Sequence, residues 1–173
     1  MRLERLNEEH AKPFRDLRLQ AFQHAPEAFG SSYEEEIKLS QDRLVQKYPA
    51  LFGSAEDTFI LGAFDDAGRL IGVAGFYREP RIKNRHKGVI WGMYIVPECR
   101  HQGVARSLLQ AILERARKLK DMRQINLVVT SGNASAKTLY LSMGFQVFGV
   151  EKDALQVDNQ FYDEDFMVLR LET

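Results

Sequence analysis

The segment from Gly88 to Lys120 constrains the fold of this chain more than any other, because it is typical of a buried strand, a turn and an amphipathic helix. Val89 to Val96 is an almost unbroken apolar run, as in a strand covered on both faces of a sheet. Pro97 ends the strand because proline cannot donate a hydrogen bond to a neighbouring strand. Apolar residues then recur at helical spacing from Val104 to Leu119. The segment therefore predicts an α/β protein.

The turn between this strand and helix, residues 100–105 with the sequence RHQGVA, has small residues where a backbone would approach a ligand closely. Gly103 has no Cβ to block such an approach, and Ala105 is the next smallest choice. The free N–H groups of the first helical turn carry the positive end of the helix dipole. Together these features predict a phosphate-binding turn.

A second motif, NASAKTLYLSMGF at residues 133–145, supports a family resemblance. The Arg-x-x-Gly-x-Ala pattern of the turn resembles the acyl-CoA pyrophosphate signature of the GNAT N-acetyltransferase superfamily. The second motif resembles that family's block Asn-x-x-Ala-x-x-Leu-Tyr-x-x-x-Gly-Phe, in the expected order and at the expected separation. The resemblance is close from Val89 to about Val150, loose in the preceding hairpin and the last strand, and hardly detectable in the first sixty residues.

The resemblance implies a single GNAT-type α/β domain over residues 1–173, with a mixed central β-sheet flanked by helices. The central strands that carry Met93 and Val128 would splay apart and hold the pantetheine arm of the cofactor between them. The implied activity is direct transfer of an acetyl group from acetyl-CoA, the cosubstrate, to a primary amine of a small molecule. A protein N-terminal or lysine acetyltransferase and a non-catalytic acyl-CoA-binding module remain open alternatives.

The same resemblance implies a set of site residues. The backbone of two strand residues would pair with the pantetheine amides, and the N–H groups of the turn would hold the pyrophosphate. The implied cofactor-binding residues are Met93, Ile95, Arg100, His101, Gln102, Gly103, Val104, Ala105, Arg106 and Asn133. Tyr140 matches the family's tyrosine near the cofactor sulfur, where a phenol could protonate the departing thiolate. The alternatives are helix capping for Asn133, a structural role for Arg100, solvation for Arg106 and an ordinary half-buried side chain for Tyr140.

The general base is not assigned by the motifs. Some family members carry a glutamate on the strand before the second motif, but the matching residue here is the aliphatic Val128. Deprotonation is therefore expected to use water or a side chain outside the motifs, with Glu34, Glu35 and Tyr94 as candidates. Cys99 could suggest a covalent acyl-enzyme, but it has no general base within the motifs, and the family resemblance implies direct transfer.

Composition limits the partners. The 173 residues include 24 basic and 24 acidic side chains, and the zero net charge lacks the broad basic surface of a nucleic-acid-binding protein. The amino-terminal residues contain no apolar signal segment, and no run approaches the ~18 apolar residues of a membrane-spanning helix. We therefore expect a cytoplasmic protein without nucleic-acid or membrane partners, with a small-molecule amine as acceptor. A protein amine and a homodimer remain open.

Residue types also exclude several kinds of site. Cys99 is the only cysteine and the four histidines are scattered, so we predict no metal. Gly103 is isolated from other glycines, which excludes Walker-type and dinucleotide-binding loops.

The rest of the chain predicts further helices and strands in order. A helix is expected between Asn7 and Pro26, then a short acidic helix capped by Ser32 and Glu35, then a helix from Ser40 to Ala50. The expected strands are Arg2–Leu6, Thr58–Phe64, Leu70–Tyr77, Gln124–Thr130, Phe145–Val150 and about Phe161–Leu171, with a polar loop before the last.

Overall fold

A mixed seven-stranded sheet organises the protein, of which a computed structural model describes residues 1–171. Its strands are β1 (Arg2–Arg5), β2 (Thr58–Phe64), β3 (Leu70–Arg78), β4 (Lys87–Ile95), β5 (Gln124–Thr130), β6 (Gln146–Val157) and β7 (Gln160–Arg170). They lie in the order β1-β2-β3-β4-β5-β7-β6. Only β4 and β5 are parallel within the described sheet; the other neighbouring pairs are antiparallel. The predicted mixed α/β sheet is confirmed.

Helices cover both faces of this sheet. They are α1 (Ala11–His24), α2 (Tyr33–Ile37), α3 (Gln41–Lys47), α4 (Pro49–Phe52), α5 (Val104–Arg117) and α6 (Ala134–Ser142). Arg115 of α5 lies over the ring of Phe59, which stacks on Phe76 of β3. The preceding residue, Gly75, leaves room for the indole of Trp91, over which Arg18 of α1 lies. Because adjacent strand residues point to opposite faces, α5 and α1 lie on opposite sides of the sheet.

The two central strands diverge. β4 and β5 pair only from Lys87 to Val89, against Gln124 to Asn126, although both strands continue beyond that point. At Gly92, where φ is +62°, β4 also loses its regular register with β3. A residue with a Cβ is strained in that left-handed conformation. The predicted splaying of the central strands is therefore present, and it leaves one edge of β4 without a neighbouring strand.

The prediction of one helix from Ser40 to Ala50 was wrong, because α3 and α4 are separate helices that part at Tyr48 and Pro49. Proline has no N–H group and disfavours helical geometry in the preceding residue, so Tyr48 has φ −123° and ψ 58°. The break turns the Tyr48 ring into the core, where it stacks on Trp91 with centroids 5.9 Å apart.

The predicted polar loop between the last two strands was also wrong. β6 and β7 continue as a long hairpin that closes at a tight turn, where Asp158 has φ 52°. The pairing is irregular at Gly149 and again before Leu155, so the apolar alternation that marks a strand is interrupted. Most of this extension of β6 is exposed, and its polar composition therefore resembles that of a loop.

The sequence was expected to lack membrane-spanning helices and a metal site. Within residues 1–171, every helix is too short or too polar to cross a lipid bilayer. In the same part of the chain, no three histidine, cysteine, aspartate or glutamate side chains are grouped to hold a metal ion. That the protein binds no metal and has no membrane partner therefore stays a prediction.

Candidate active site

A cleft of about 820 Å³ opens where β4 and β5 diverge. Both strands, the turn before α5, the start of α6 and the segment after α1 contribute to its walls. The two sequence motifs, at residues 100–105 and 133–145, therefore meet in one cavity. The predicted site residues that line it are Met93, Ile95, Arg100, His101, Gly103, Val104, Ala105, Arg106, Asn133 and Tyr140.

Backbone groups of β4 face the cleft. The N–H group of Val96 donates to the carbonyl of Ile71 in β3 at 3.0 Å. Because backbone groups alternate in direction along a strand, those of Ile95 and Met93 point away from β3 and towards the divergent β5. The Ile95 carbonyl accepts a hydrogen bond from the Nε of Arg100 at 3.1 Å. The remaining groups form a strand edge that an extended, amide-containing ligand could complete.

The turn before α5 presents backbone N–H groups. His101 and Gly103 both have left-handed backbones, with φ of 59° and 81°. No side chain caps α5, and the N–H of Ser107 makes the bond to the Gly103 carbonyl, so the N–H groups of residues 104–106 precede the helical ladder. A Cβ on Gly103 would meet no protein atom within 4 Å. The space in front of the turn is open and suits an anionic group.

Side chains of the turn hold it in place. Gln102 donates through its amide to the Glu98 carbonyl at 2.9 Å, and the Nη2 of Arg106 donates to the Ser142 hydroxyl of α6 at 2.8 Å. Arg100 is bonded to β4, as described above. These side chains have partners within the protein, so the turn's capacity for an anion resides mainly in its backbone.

The loop between β5 and α6 is fixed by a cap and by a buried carboxylate. The Oδ1 of Asn133 accepts the N–H of Ala136 at 3.1 Å, which leaves the Asn133 amide nitrogen without a partner among the described residues. Asp165 of β7 is buried, pairs with Lys137 and accepts the Ser131 hydroxyl at 2.6 Å. Lys137 and then Ser131 lower the pKa of Asp165. Asp165 was not predicted from the sequence, because it lies 34 residues from Ser131 in the chain.

Tyr140 sits on the cleft wall opposite β4. Its hydroxyl lies 3.6 Å from the sulfur of Met93, a weak acceptor that competes little for the phenolic proton. Burial raises the pKa of Tyr140 to about 12. The phenol is therefore protonated at neutral pH and could donate a proton to a group bound beside Met93.

A second polar pair lies on the other side of the cleft. The Nδ1 of His24, the last residue of α1, is 2.9 Å from the Tyr94 hydroxyl, and both residues line the cavity. Burial raises the pKa of Tyr94. Of the three candidate bases, only Tyr94 lines the cleft, whereas Glu34 is exposed on α2 and Glu35 caps that helix. His24 was not predicted from the sequence, since no local pattern indicates a contact across 70 residues.

Two further cleft residues bear on mechanism. Val128 is 45% exposed and presents an aliphatic side chain, so this position of β5 supplies no base. Cys99 also lines the cleft, but no side chain of residues 1–171 makes a hydrogen bond to its sulfur that could activate it.

Comparisons with known proteins agree with this geometry. The L-methionine sulfoximine/L-methionine sulfone acetyltransferase of Pseudomonas aeruginosa is 32% identical over 114 residues, a match that spans 65% of this chain and 65% of that relative's length. A GNAT-family acetyltransferase from Streptococcus pneumoniae has a TM-score of 0.83 at 19% identity, over 99% of both chains. The yncA protein of Salmonella typhimurium, solved with its cofactor acetyl-CoA, has a TM-score of 0.82 at 19% identity, over 100% of this chain and 95% of its own.

The family comparison covers most of the chain. The model of the Acetyltransferase (GNAT) family matches residues 7–145, which include the turn before α5, the splayed strands and the whole second motif. With both motifs meeting at the cleft between β4 and β5, the chain belongs to the GNAT family of acetyltransferases.

Proposed function

We propose that the protein is an N-acetyltransferase that transfers an acetyl group directly from acetyl-CoA to a primary amine of a small molecule. One observation carries this proposal: the uncapped turn before α5, the buried Tyr140 hydroxyl and the unpaired edge of β4 border the same cleft. The family, the acetyl-CoA of yncA and the activity of the Pseudomonas relative on L-methionine sulfoximine and L-methionine sulfone support it.

Acetyl-CoA supplies the acetyl group as a reactive thioester. The N–H groups of residues 101–106 would hold its pyrophosphate, because the space before Gly103 is open. The backbone groups of Met93 and Ile95 would pair with the pantetheine amides, and the free amide nitrogen of Asn133 would add a contact. This assignment rests mainly on backbone groups, for which most side chains are tolerated.

Two side chains would move the protons. The amine nitrogen bonds to the acetyl carbon as the carbon–sulfur bond breaks, so the amine loses a proton and the sulfur gains one. Tyr140 would donate to the sulfur, since its hydroxyl lies beside Met93 and is protonated at neutral pH. His24 would accept the proton of the amine, directly or through the Tyr94 hydroxyl to which it is hydrogen-bonded.

The turn assignment predicts that Gly103→Val weakens acetyl-CoA binding at least tenfold, or about 1.4 kcal/mol, measured by calorimetry. The substitution strains a backbone with φ +81° and fills the open space in front of it. Gly68→Val is the matched control, because Gly68 has φ +80°, has equally open surroundings and lies in the β2–β3 turn. Wild-type affinity in a folded Gly103→Val protein would refute the assignment.

The proposed acid predicts that Tyr140→Phe slows single-turnover acetyl transfer by roughly 10²-fold and leaves acetyl-CoA affinity nearly unchanged. Tyr77→Phe, which removes another partly buried hydroxyl outside the cleft, should retain the rate. Because the pKa of Tyr140 is about 12, the wild-type rate should not decline as the pH rises from about 7 to about 10. A wild-type single-turnover rate in Tyr140→Phe would refute the role of Tyr140 as the acid and show that its ring serves only in packing.

The proposed base predicts that His24→Gln slows single-turnover transfer at pH 7 by roughly tenfold or more, since the amide cannot accept a proton. The deficit should shrink as the pH approaches that at which the acceptor amine is already neutral. His86→Gln, an imidazole deletion outside the cleft, provides the control. A deficit that is constant with pH would show that His24 positions Tyr94 or the acceptor and takes no proton.

Direct transfer predicts that the protein incubated with acetyl-CoA alone gains no stable acetyl group on Cys99, as measured by intact mass. Cys99→Ala should keep the wild-type rate, because no described side chain is placed to activate the thiol. An acetyl adduct that depends on Cys99 and passes to the amine would establish an acyl-enzyme route instead.

A further inference from the structure

Arg18 of α1 is a buried cation without a hydrogen-bond partner for two of its three nitrogens. The residue is 5% exposed, and its Nε and Nη1 are buried and unpaired among the described residues. Four aromatic rings surround the guanidinium carbon, at 4.5 to 5.8 Å from their centroids. These rings belong to Phe22, Phe29, Tyr48 and Trp91. Cation–π contacts offset part of the desolvation of this charge but satisfy none of its N–H groups.

The buried carboxylate of this region is already neutralised. Glu36 is fully buried, accepts the Tyr48 hydroxyl at 2.5 Å and pairs with the Lys47 ammonium at 2.6 Å. Burial, the largest influence, raises the pKa of Tyr48, so its hydroxyl remains a donor to Glu36. Lys47, whose side chain is 32% exposed, balances Glu36, so the buried charge of Arg18 has no counter-ion among the described residues. A buried excess charge is costly unless an anion joins it.

Arg18 adjoins the reaction end of the cleft. Its Nη1 is 2.9 Å from the position that a Cβ on Gly92 would occupy, and Gly92 lines the cavity together with Phe29 and Trp91. The next residue of β4, Met93, lies against the Tyr140 hydroxyl. The guanidinium thus approaches β4 at Gly92, and the proposed acid approaches it at the next residue, Met93.

We propose that Arg18 forms a subsite for a carboxylate of the acceptor, and that the acceptor is a free α-amino acid. A carboxylate is planar and offers two oxygens to the forked donors of a guanidinium. An amine on the same carbon as a carboxylate held by Arg18 would lie a short distance from that carboxylate, close to Gly92 and Met93 of β4. A lysine side chain or the amino terminus of a polypeptide has no carboxylate at that distance from its amine. This inference rests on the proposed function for the position of the reacting amine.

The test uses Trp91, the only tryptophan of the sequence, as a probe of the subsite. Its ring centroid lies 5.8 Å from the Arg18 guanidinium carbon, so a bound anion should alter its fluorescence. The full chain, saturated with CoA, is titrated with each common α-amino acid and, separately, with the corresponding amino-acid carboxamide. The carboxamide retains the amine and the side chain but removes the negative charge.

We expect saturable fluorescence changes with at least one amino acid, at concentrations at least roughly 10²-fold below those needed for its carboxamide. In Arg18→Met this preference should be lost. Arg15→Met is the matched control on the same helix, because Arg15 donates to the carbonyls of Glu36, Ile37 and Leu39, and it should keep the preference. Arg18→Lys, which keeps the charge but lacks the fork, should retain part of it.

The result that overturns the subsite is the absence of any preference for the acid in the wild-type chain, or its persistence in Arg18→Met. The wild-type comparison decides the question even where a variant does not fold. Acetyl transfer to the same compounds is measured in parallel. A carboxylate preference in binding without acetyl transfer to any amine would refute the proposed function and support the anion subsite. Equal acetyl transfer to acids and carboxamides would support the proposed function and refute the subsite.

Discussion

The divergence of β4 from β5 is the constraint on which the site depends. A central strand normally pairs on both edges, and buried backbone groups without partners destabilise a fold. Here pairing stops after three residues of β4, and the rest of that edge faces a cleft. The unpaired edge is tolerable because it borders open space that a ligand with amide groups could occupy. The glycine at position 92 and the helix start at position 104 lie on the same cleft and shape its two ends.

The two faces of the sheet contribute different things to that cleft. On one face, α5 packs fully buried leucine and isoleucine side chains and presents its uncapped amino terminus, so a stable helix also offers N–H groups. On the other face, α1 carries Arg18 and His24 towards the cleft within a wall of aromatic rings. Stability and binding conflict on this second face, because a buried guanidinium lowers stability while it lacks an anion. The buried charge of Arg18 is therefore better explained by binding of an anionic ligand than by a contribution to stability.

Local patterns allowed the turn before α5 and the second motif to be identified, whereas the contact of His24 with Tyr94 depends on residues far apart in the chain. The apolar run of β4, the isolated Gly103 and the Asn133 cap each occupy a few consecutive residues, so periodicity and turn chemistry identify them. The contact of His24 with Tyr94 depends on how α1 lies across the sheet, which no short pattern encodes. The long β6–β7 hairpin was missed for a related reason, because register shifts and an exposed surface remove the alternation that marks strands.

The most direct test of this account is a crystal structure of the protein with acetyl-CoA bound. We predict pyrophosphate oxygens within hydrogen-bond distance of the N–H groups of residues 101–106, pantetheine amides against the free edge of β4, and the thioester sulfur within reach of the Tyr140 hydroxyl. A cofactor bound outside the cleft between β4 and β5, or one whose sulfur lies far from Tyr140, would contradict the account.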